Sequence, residues 1–423
     1  MNAKVLNVSA QDESQISSWE RMLAEAARKI SLTESQYSMI ESRYAQLQNI
    51  LDAATDPCLS GAHIFIQGSV GLKTTIKPVA DAIGDMATID ADAIVLLENA
   101  QHYGPEQTLD AMMKLFKQES RVQAEPQELR RGIRIVYADE NPGFHIDITP
   151  AIKAEKNALS DGYGILFVPD REAGWKVSAP RSYSQWLSEA SKAHIHLLTE
   201  SRAMDEAINL EVSKSRIDPL PAYGEYAGIN PLLATIKLLK RHRDEWAIRT
   251  KNVSTRPISA VITTLATRAY LSIASRSVQQ PLRPIEVMFS IVAEMNQHIL
   301  YEHGEYLVRN PCASEENFAE KWNRADGEGE SYKGAFYLWH AEALTDIALG
   351  LTNWGSQDAF VQEVRKKFGL PASLIEDITK EFNRSWTLPG RVAGETLNKL
   401  AASSFGFATG AAIADPNTVG RLG

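Results

Sequence analysis

Cysteine is almost absent from this chain. Of 423 residues only Cys58 and Cys312 are thiols, too few for a disulfide framework and too isolated for a zinc site. Both are expected to stay reduced, as in a cytoplasmic protein. Long apolar runs are missing too: no stretch approaches the roughly 18 residues that cross a bilayer. The opening "MNAKVLNVSAQDESQ" is polar and lacks the apolar region of a signal peptide, so membrane insertion is not expected. Positive charge is in deficit, with 44 Lys and Arg against 53 Asp and Glu and a net charge of −9. That balance disfavours a grip on long nucleic acid through a broad basic face, yet leaves room for a small anionic ligand held with metal. Internal repeats and low-complexity tracts are also lacking, which sets aside solenoid and disordered architectures. What remains, 44% hydrophobic and 23% charged residues, is enough for two or three packed lobes.

Residues 13–56 carry helical periodicity, broken near "KISLTESQ", where Ser31 with Glu34 or Thr33 with Gln36 makes a capping-box pattern. From about 61 to 170 the pattern changes to short β-rich runs, "AHIFIQ", "TIDADAIVLLE", "GIRIVYA", "FHIDITPAI" and "YGILFVP", with one helix, "EQTLDAMMKLFKQES", among them. Beyond Pro180 nearly every segment reads as helix, including "SYSQWLSEASKAHIHLLTE", "NPLLATIKLLKRHRDEWAI", "PISAVITTLATRAYLSIAS" and "PIEVMFSIVAEMNQHILYE". A helical lobe is entered through the proline-containing "RIDPLPAYGEYAGINP", and the final "AIADPNTVGRLG" is expected to fray. The expected division is an N-terminal helical segment over 1–60 packing on both lobes, a core over 61–215, a helical C-terminal lobe over 216–410 and a flexible tail over 411–423.

Chemistry concentrates in the β-rich part. In "ATIDADAIVLLE", Asp90 and Asp92 are two residues apart, a spacing that puts both carboxylates on one face of a strand. Like charges side by side call for a cation, and the apolar "AIVLL" that follows reads as a buried central strand rather than an exposed one. In "FHIDITPAI", Phe144, Ile146 and Ile148 share one face and His145, Asp147 and Thr149 the other, so Asp147 is a lone acid inside a strand. Taken alone it fits the solvated face of an edge strand; joined to the pair it becomes the third carboxylate of a two-metal site. Upstream, "GSVGLKTTIKP" (68–78) is either an ordinary turn or a loop that cradles phosphate. Downstream, Lys237, Lys240 and Arg241 fall at i, i+3 and i+4 on one helix face, a solvated stripe or a phosphate contact. Two other clusters carry less. The histidines at 194 and 196 lie two apart on an expected helix, which turns their rings away from each other. "DGEGE" near 326–330 reads as a flexible loop without the ligand order of a calcium site.

The succession of strand, Gly-Ser loop, helix, Asp-x-Asp strand and later single-Asp strand resembles the polymerase-β-like nucleotidyltransferase superfamily, with Gly68, Ser69, Asp90, Asp92 and Asp147 on its motif positions. Within it the chain looks most like the bacterial CD-NTases, relatives of animal cyclic GMP-AMP synthase and oligoadenylate synthase that make cyclic oligonucleotide signals in antiphage defence. The resemblance covers roughly residues 13–400, although the segment from Ser69 to Asp90 is longer than in minimal members. It implies an α+β fold: a nucleotidyltransferase core with a mixed β-sheet, a long N-terminal helix and a helical C-terminal lobe. It implies two Mg²⁺ ions, for which Mn²⁺ can substitute: one on Asp90, Asp92 and Asp147 that lowers the pKa of the attacking hydroxyl, one on Asp90 and Asp92 that neutralises the departing pyrophosphate.

The resemblance also makes "GSVGLKT" the phosphate loop. There Gly68 lets the backbone approach, the Ser69 hydroxyl and nearby amides donate to the β- and γ-phosphates, Lys73 adds charge, and Thr74 occupies a position where many relatives carry Thr. Lys240 becomes the triphosphate lysine and Ser259 the hydroxyl of the following helix. Implied substrates are ATP and GTP, and implied products are cyclic di- or trinucleotides read by a downstream effector, with no stable nucleic-acid partner. The terminal Gly423 matches relatives joined to targets through their last residue by ubiquitin-like conjugation enzymes, or is an ordinary frayed end. Still open on the same scaffold are an enzyme that modifies RNA or a protein and an inactive nucleotide-binding module.

Overall fold

The β-rich segment expected over 61–170 extends to Ser178 and builds a mixed sheet of seven strands. The computed structural model describes residues 10–79, 82, 84–118, 125–137, 142–154, 161–195, 197, 230–279, 281–351, 354, 356–373 and 375. Helices α1 (Ala10–Lys29) and α2 (Glu34–Asp52) lead into β1 (His63–Gln67), the short α3 (Gly68–Gly71), β2 (Ile89–Leu96), α4 (Pro105–Gln118), β3 (Gln127–Glu128), β4 (Ile133–Tyr137), β5 (Phe144–Lys153), β6 (Leu166–Asp170) and β7 (Gly174–Ser178). The helical half comprises α5 (Pro180–Ser191), α6 (Pro231–Thr250), α7 (Ser259–Ser277) and α8 (Pro284–Met295), then β8 (Leu300–Glu302), β9 (Glu305–Leu307), β10 (Arg309–Asn310) and β11 (Ala313–Asn317), then α9 (Glu328–Asp346) and α10 (Gln357–Phe368).

The sheet runs β1-β2-β5-β4-β3, with β6 on β5 and β7 on β6. Only β2 and β5 pair in parallel among these strands, and β5 therefore lies inside the sheet, not at its edge. The register lines up Gln67, Asp92, Asp147, Arg134 and Gln127 across five strands, with Asp90 beside His145 in the neighbouring row. Helices α2 and α4 pack on the sheet, burying Tyr44, Leu47, Met112 and Phe116 against Ile89, Ala91, Ile146 and Ile148.

Helix α1 packs elsewhere. Trp19, Met22, Leu23 and Ala26, at helical spacing, join Ala234 and Leu238 of α6 and Phe360 and Phe368 of α10. Trp19 Nε1 donates to the Ile347 carbonyl at 2.9 Å, and Gly350 lies so close to the indole that a Cβ there would stand 2.2 Å from it. The break between α1 and α2 is capped by Thr33 with Gln36, the second of the two patterns in the sequence.

Several expectations need correction. Helix α5 ends at Ser191, tightened by the Lys192 N–H on the Glu189 and Ala190 carbonyls, and the Asn230 amide takes the Ser191 carbonyl. His194 thus lies beyond the helix, and residue 196 is outside the described residues. The run "PIEVMFSIVAEMNQHILYE" is not one helix: α8 stops at Met295 and β8 begins at Leu300. His303 at φ +51° and Gly304 at φ +85° form the two-residue turn of the β8–β9 hairpin, a signal too short for alternation to flag. "DGEGE" is no loop but the start of α9, with Gly327 at φ +84° as N-cap and Glu328 and Glu330 in the first turn, where acids oppose the helix dipole favourably. The linker through 229, the tail and Gly423 lie outside the described residues. Cys58 is buried, Cys312 half-buried, and both are free thiols. Among the described residues no helix is long and apolar enough to cross a membrane.

Candidate active site

Strand β1 ends at Gln67 and the chain turns at once into α3 with Gly68 at φ +61°. A Cβ on Gly68 would lie 1.8 Å from Asp92 Oδ2, so both conformation and space demand glycine. Ser69 is held by its neighbours: its carbonyl accepts from the Thr74 N–H at 2.8 Å and its hydroxyl from Thr75 Oγ1 at 2.9 Å. The "loop" of the sequence reading is thus a glycine-started turn of helix folded back on Thr74 and Thr75. Lys73, itself at φ +58°, is not among the residues lining the adjacent cleft, whereas Gly68, Ser69 and Thr74 are.

Parallel pairing of β2 with β5 brings the acids together. Asp92 faces Asp147 and Asp90 faces His145, four side chains on one sheet face. Ligand atoms of Asp90, His145 and Asp147 all lie within 4.8 Å of one another. Loss of water and the charges of Asp90 and Asp147 push the Asp92 carboxyl well above its usual range, against Lys240 and Arg134. Burial also raises Asp147, offset in part by Arg134, whose Nε and Nη2 donate to the two carboxylate oxygens at 2.7 and 2.8 Å. For Asp90 burial acts upward, but contact with His145 and the charges of Arg134 and Lys240 outweigh it and hold the carboxyl below its usual range. Three crowded carboxylates that cannot all ionise comfortably are a donor set short of positive charge.

The second wall comes from α6. Its basic stripe is buried, not solvated: Lys237 Nζ donates to Ser31 Oγ at 2.9 Å, Lys240 Nζ to the Thr74 carbonyl at 2.9 Å, and Arg241 Nη2 to the Lys77 carbonyl at 2.7 Å. The last two bonds strap residues 74–78 to the helical lobe. Burial, with Arg243 adding repulsion, pushes the Lys240 ammonium down to about 8, although Asp244, Asp90 and Asp92 pull the other way. Arg243 Nη1 donates to Ser259 Oγ at 3.1 Å, fixing that hydroxyl at the head of α7. Ser69, Asp90, Asp92, Lys240, Arg243 and Ser259 line one cleft of about 530 Å³ between sheet and helices, a size suited to a small ligand. Sequence reasoning missed Arg134, Arg243 and the chemical place of His145. The first two act through cross-strand register and a helix contact that no local pattern reports, while His145 stood two residues from Asp147 on the same face.

The mixed sheet carries paired and lone acids against a glycine turn, with a buried lysine opposite, and the fold is similar to that of solved nucleotidyltransferases. Residues 18–190 match the family described as "Second Messenger Oligonucleotide or Dinucleotide Synthetase domain". The match spans the glycine turn at Gly68 and all three acids, Asp90, Asp92 and Asp147. Among solved structures, the Bradyrhizobium diazoefficiens CD-NTase CdnG in complex with GTP is similar over 86% of this chain and 99% of its own, at 17% identity and a TM-score of 0.57. The E. coli MS115-1 CdnC with ATP covers 83% of this chain and 98% of its own, at 12% identity and a TM-score of 0.51. At these identities the likeness concerns the fold. No curated protein matches the chain.

Proposed function

We propose that the chain performs template-free transfer between nucleoside triphosphates. A ribose hydroxyl oxygen of one bonds to the α-phosphorus of another, the bond from that phosphorus to the pyrophosphate oxygen breaks, and repetition in the same cleft closes a cyclic di- or trinucleotide. The observation that carries this reading is that Asp90, Asp92 and Asp147 share one sheet face, the first two lining a cleft with Ser69 and Lys240 and Asp147 registered beside Asp92.

The oxygen donors suit Mg²⁺, or Mn²⁺ in its place, because the raised Asp92 carboxyl marks a site that gains from a cation. Ions on these three carboxylates would activate the attacking hydroxyl and neutralise the leaving pyrophosphate. The chain's own groups bind and orient: Ser69 and the turn amides with Lys240 and Ser259 take the triphosphate, and Thr74 fixes Lys240 through its carbonyl. The products serve a downstream effector in antiphage signalling. With Mg²⁺ or Mn²⁺ and the four ribonucleotides, purified protein is expected to release pyrophosphate and form phosphatase-resistant cyclic products identifiable by mass spectrometry. Long polymers or labelled RNA ends as the sole products would overturn the reading.

Lys240 makes this reading pH-dependent. In the free protein its ammonium titrates near 8, below its ordinary 10.5, because burial disfavours the charge. A bound triphosphate favours the charged form, so the bound value lies higher and binding takes up a proton above about pH 8. Triphosphate affinity is therefore expected to weaken as pH rises from 8 to 9.5, and calorimetry in buffers of different ionisation enthalpy reads the proton uptake. Lys240→Met should abolish both the slope and the uptake.

A further inference from the structure

Two clusters of the described residues bring three metal-type donors together: Asp90, His145 and Asp147, and His242, Glu342 and Asp346. The second is already satisfied. Trp339 Nε1 donates to His242 Nδ1 at 3.1 Å, His242 Nε2 lies 2.9 Å from Asp346 Oδ2, and the Lys367 ammonium bonds both Asp346 and Glu342 at 2.9 and 2.6 Å. A cation is in place there, and both imidazole nitrogens are used.

The first cluster differs at one atom. His145 is buried, 2% exposed, and its Nδ1 pairs with Thr88 Oγ1 at 3.0 Å. Its Nε2 has no hydrogen-bond partner, although it stands 2.9 Å from Asp90 Oδ1. A buried ring nitrogen that close to a carboxylate oxygen is stabilised either by a proton between them, as in the ion-free protein where His145 lowers the Asp90 carboxyl, or by an ion that both ligate. Two ligands at right angles on one ion, with bonds of about 2.1 Å, stand about 3 Å apart. The separation of Nε2 and Oδ1 is that of neighbouring ligands on a common ion. Thr88 Oγ1 is placed to accept from Nδ1–H, the tautomer that leaves the lone pair on Nε2 for a metal.

We infer that His145 is a nitrogen ligand, through Nε2, of a divalent ion shared with Asp90 and Asp147. This rests on the reading of the carboxylates as a metal seat and adds to it a mixed nitrogen and oxygen donor set. Oxygen ligands alone suit Mg²⁺, whereas an imidazole shifts preference toward first-row transition ions, so this site takes Mn²⁺ in preference to Mg²⁺.

The test is Mn²⁺ binding to the full chain without nucleotide, followed by pulsed electron paramagnetic resonance and by titration. The expected spectrum shows a ¹⁴N coupling on bound Mn²⁺ that disappears in His145→Gln. Mn²⁺ affinity in that variant should fall about 10–100-fold, the loss seen when metal-site partners are removed, with a smaller change for Mg²⁺. Thr88→Val should weaken the coupling while keeping His145, which supplies a second variant should His145→Gln fail to fold. Bound Mn²⁺ without nitrogen coupling in the wild type, or coupling that persists in His145→Gln, overturns the assignment and leaves the carboxylate seat standing. Failure of Mn²⁺ to bind at all overturns both.

Discussion

Asp92→Asn is expected to make the metal-free protein more stable and the enzyme nearly inactive. In the free protein Asp92 is half-buried, loses much of its hydration and faces the charges of Asp90 and Asp147, which is why its carboxyl is raised well above the ordinary range. The sign follows from linkage. A carboxyl raised in the folded state costs stability above its unfolded value, where the unfolded chain ionises freely, and ceases to cost as pH falls below that value. Asparagine keeps the shape and removes the charge, so at neutral pH the melting temperature without divalent ions should rise, by about 1 °C for each kcal/mol relieved in a chain of this length. Turnover should fall about a thousandfold or more, because a ligand charge at the transition state is worth several kcal/mol and each ~1.4 kcal/mol is tenfold. Added Mg²⁺ should raise the melting temperature of the wild type more than that of the variant. A variant that melts lower than wild type in chelator, or that turns over normally, would remove Asp92 from the metal seat.

Much of the site was legible because its chemistry follows a period of two. Asp90 with Asp92, and His145 with Asp147, are same-face pairs within single strands, visible before any fold is known. What joins the pairs is the parallel register of β2 on β5, a contact between residues more than fifty apart that no window of sequence contains. Arg134 was invisible for the same reason: its strand, "GIRIVYA", offers an ordinary half-buried arginine until β4 is laid beside β5. The lysine stripe of α6 was legible as a stripe but not as buried, because burial comes from the strap 74–78 and from Ser31, far apart in the chain. The helices of the second lobe declared themselves through long apolar periodicity, whereas strands β8 to β11, two to five residues each, never had length enough to do so. Lys73 attracted a phosphate role as a cation next to a Gly-Ser turn; the structure shows it at φ +58° where the turn returns to Thr74, and not among the residues lining the cleft.

The bidentate bond from Arg134 sharpens what Asp147→Asn should do. Were Asp147 a solvated residue, the substitution would change stability by less than about 0.5 kcal/mol. It is instead a half-buried partner of a guanidinium, so Asp147→Asn leaves Arg134 without its carboxylate, a loss of about 1–3 kcal/mol that is offset in part by removing a charge disfavoured by burial and Asp90. A stability loss alone therefore no longer separates a metal ligand from an ion-pair partner. Arg134→Gln does, because it breaks the same pair from the other side and leaves the carboxylate intact. If Asp147 holds metal, the two variants should melt at similarly reduced temperatures, yet Asp147→Asn should lose about a thousandfold in turnover while Arg134→Gln loses far less at saturating Mg²⁺. Arg134→Gln should also bind Mn²⁺ more tightly than wild type, since the guanidinium no longer competes for both oxygens of Asp147. Equal turnover losses in the two variants, with unchanged Mn²⁺ affinity, would make the pair a structural clamp and leave the metal seat to the other carboxylates.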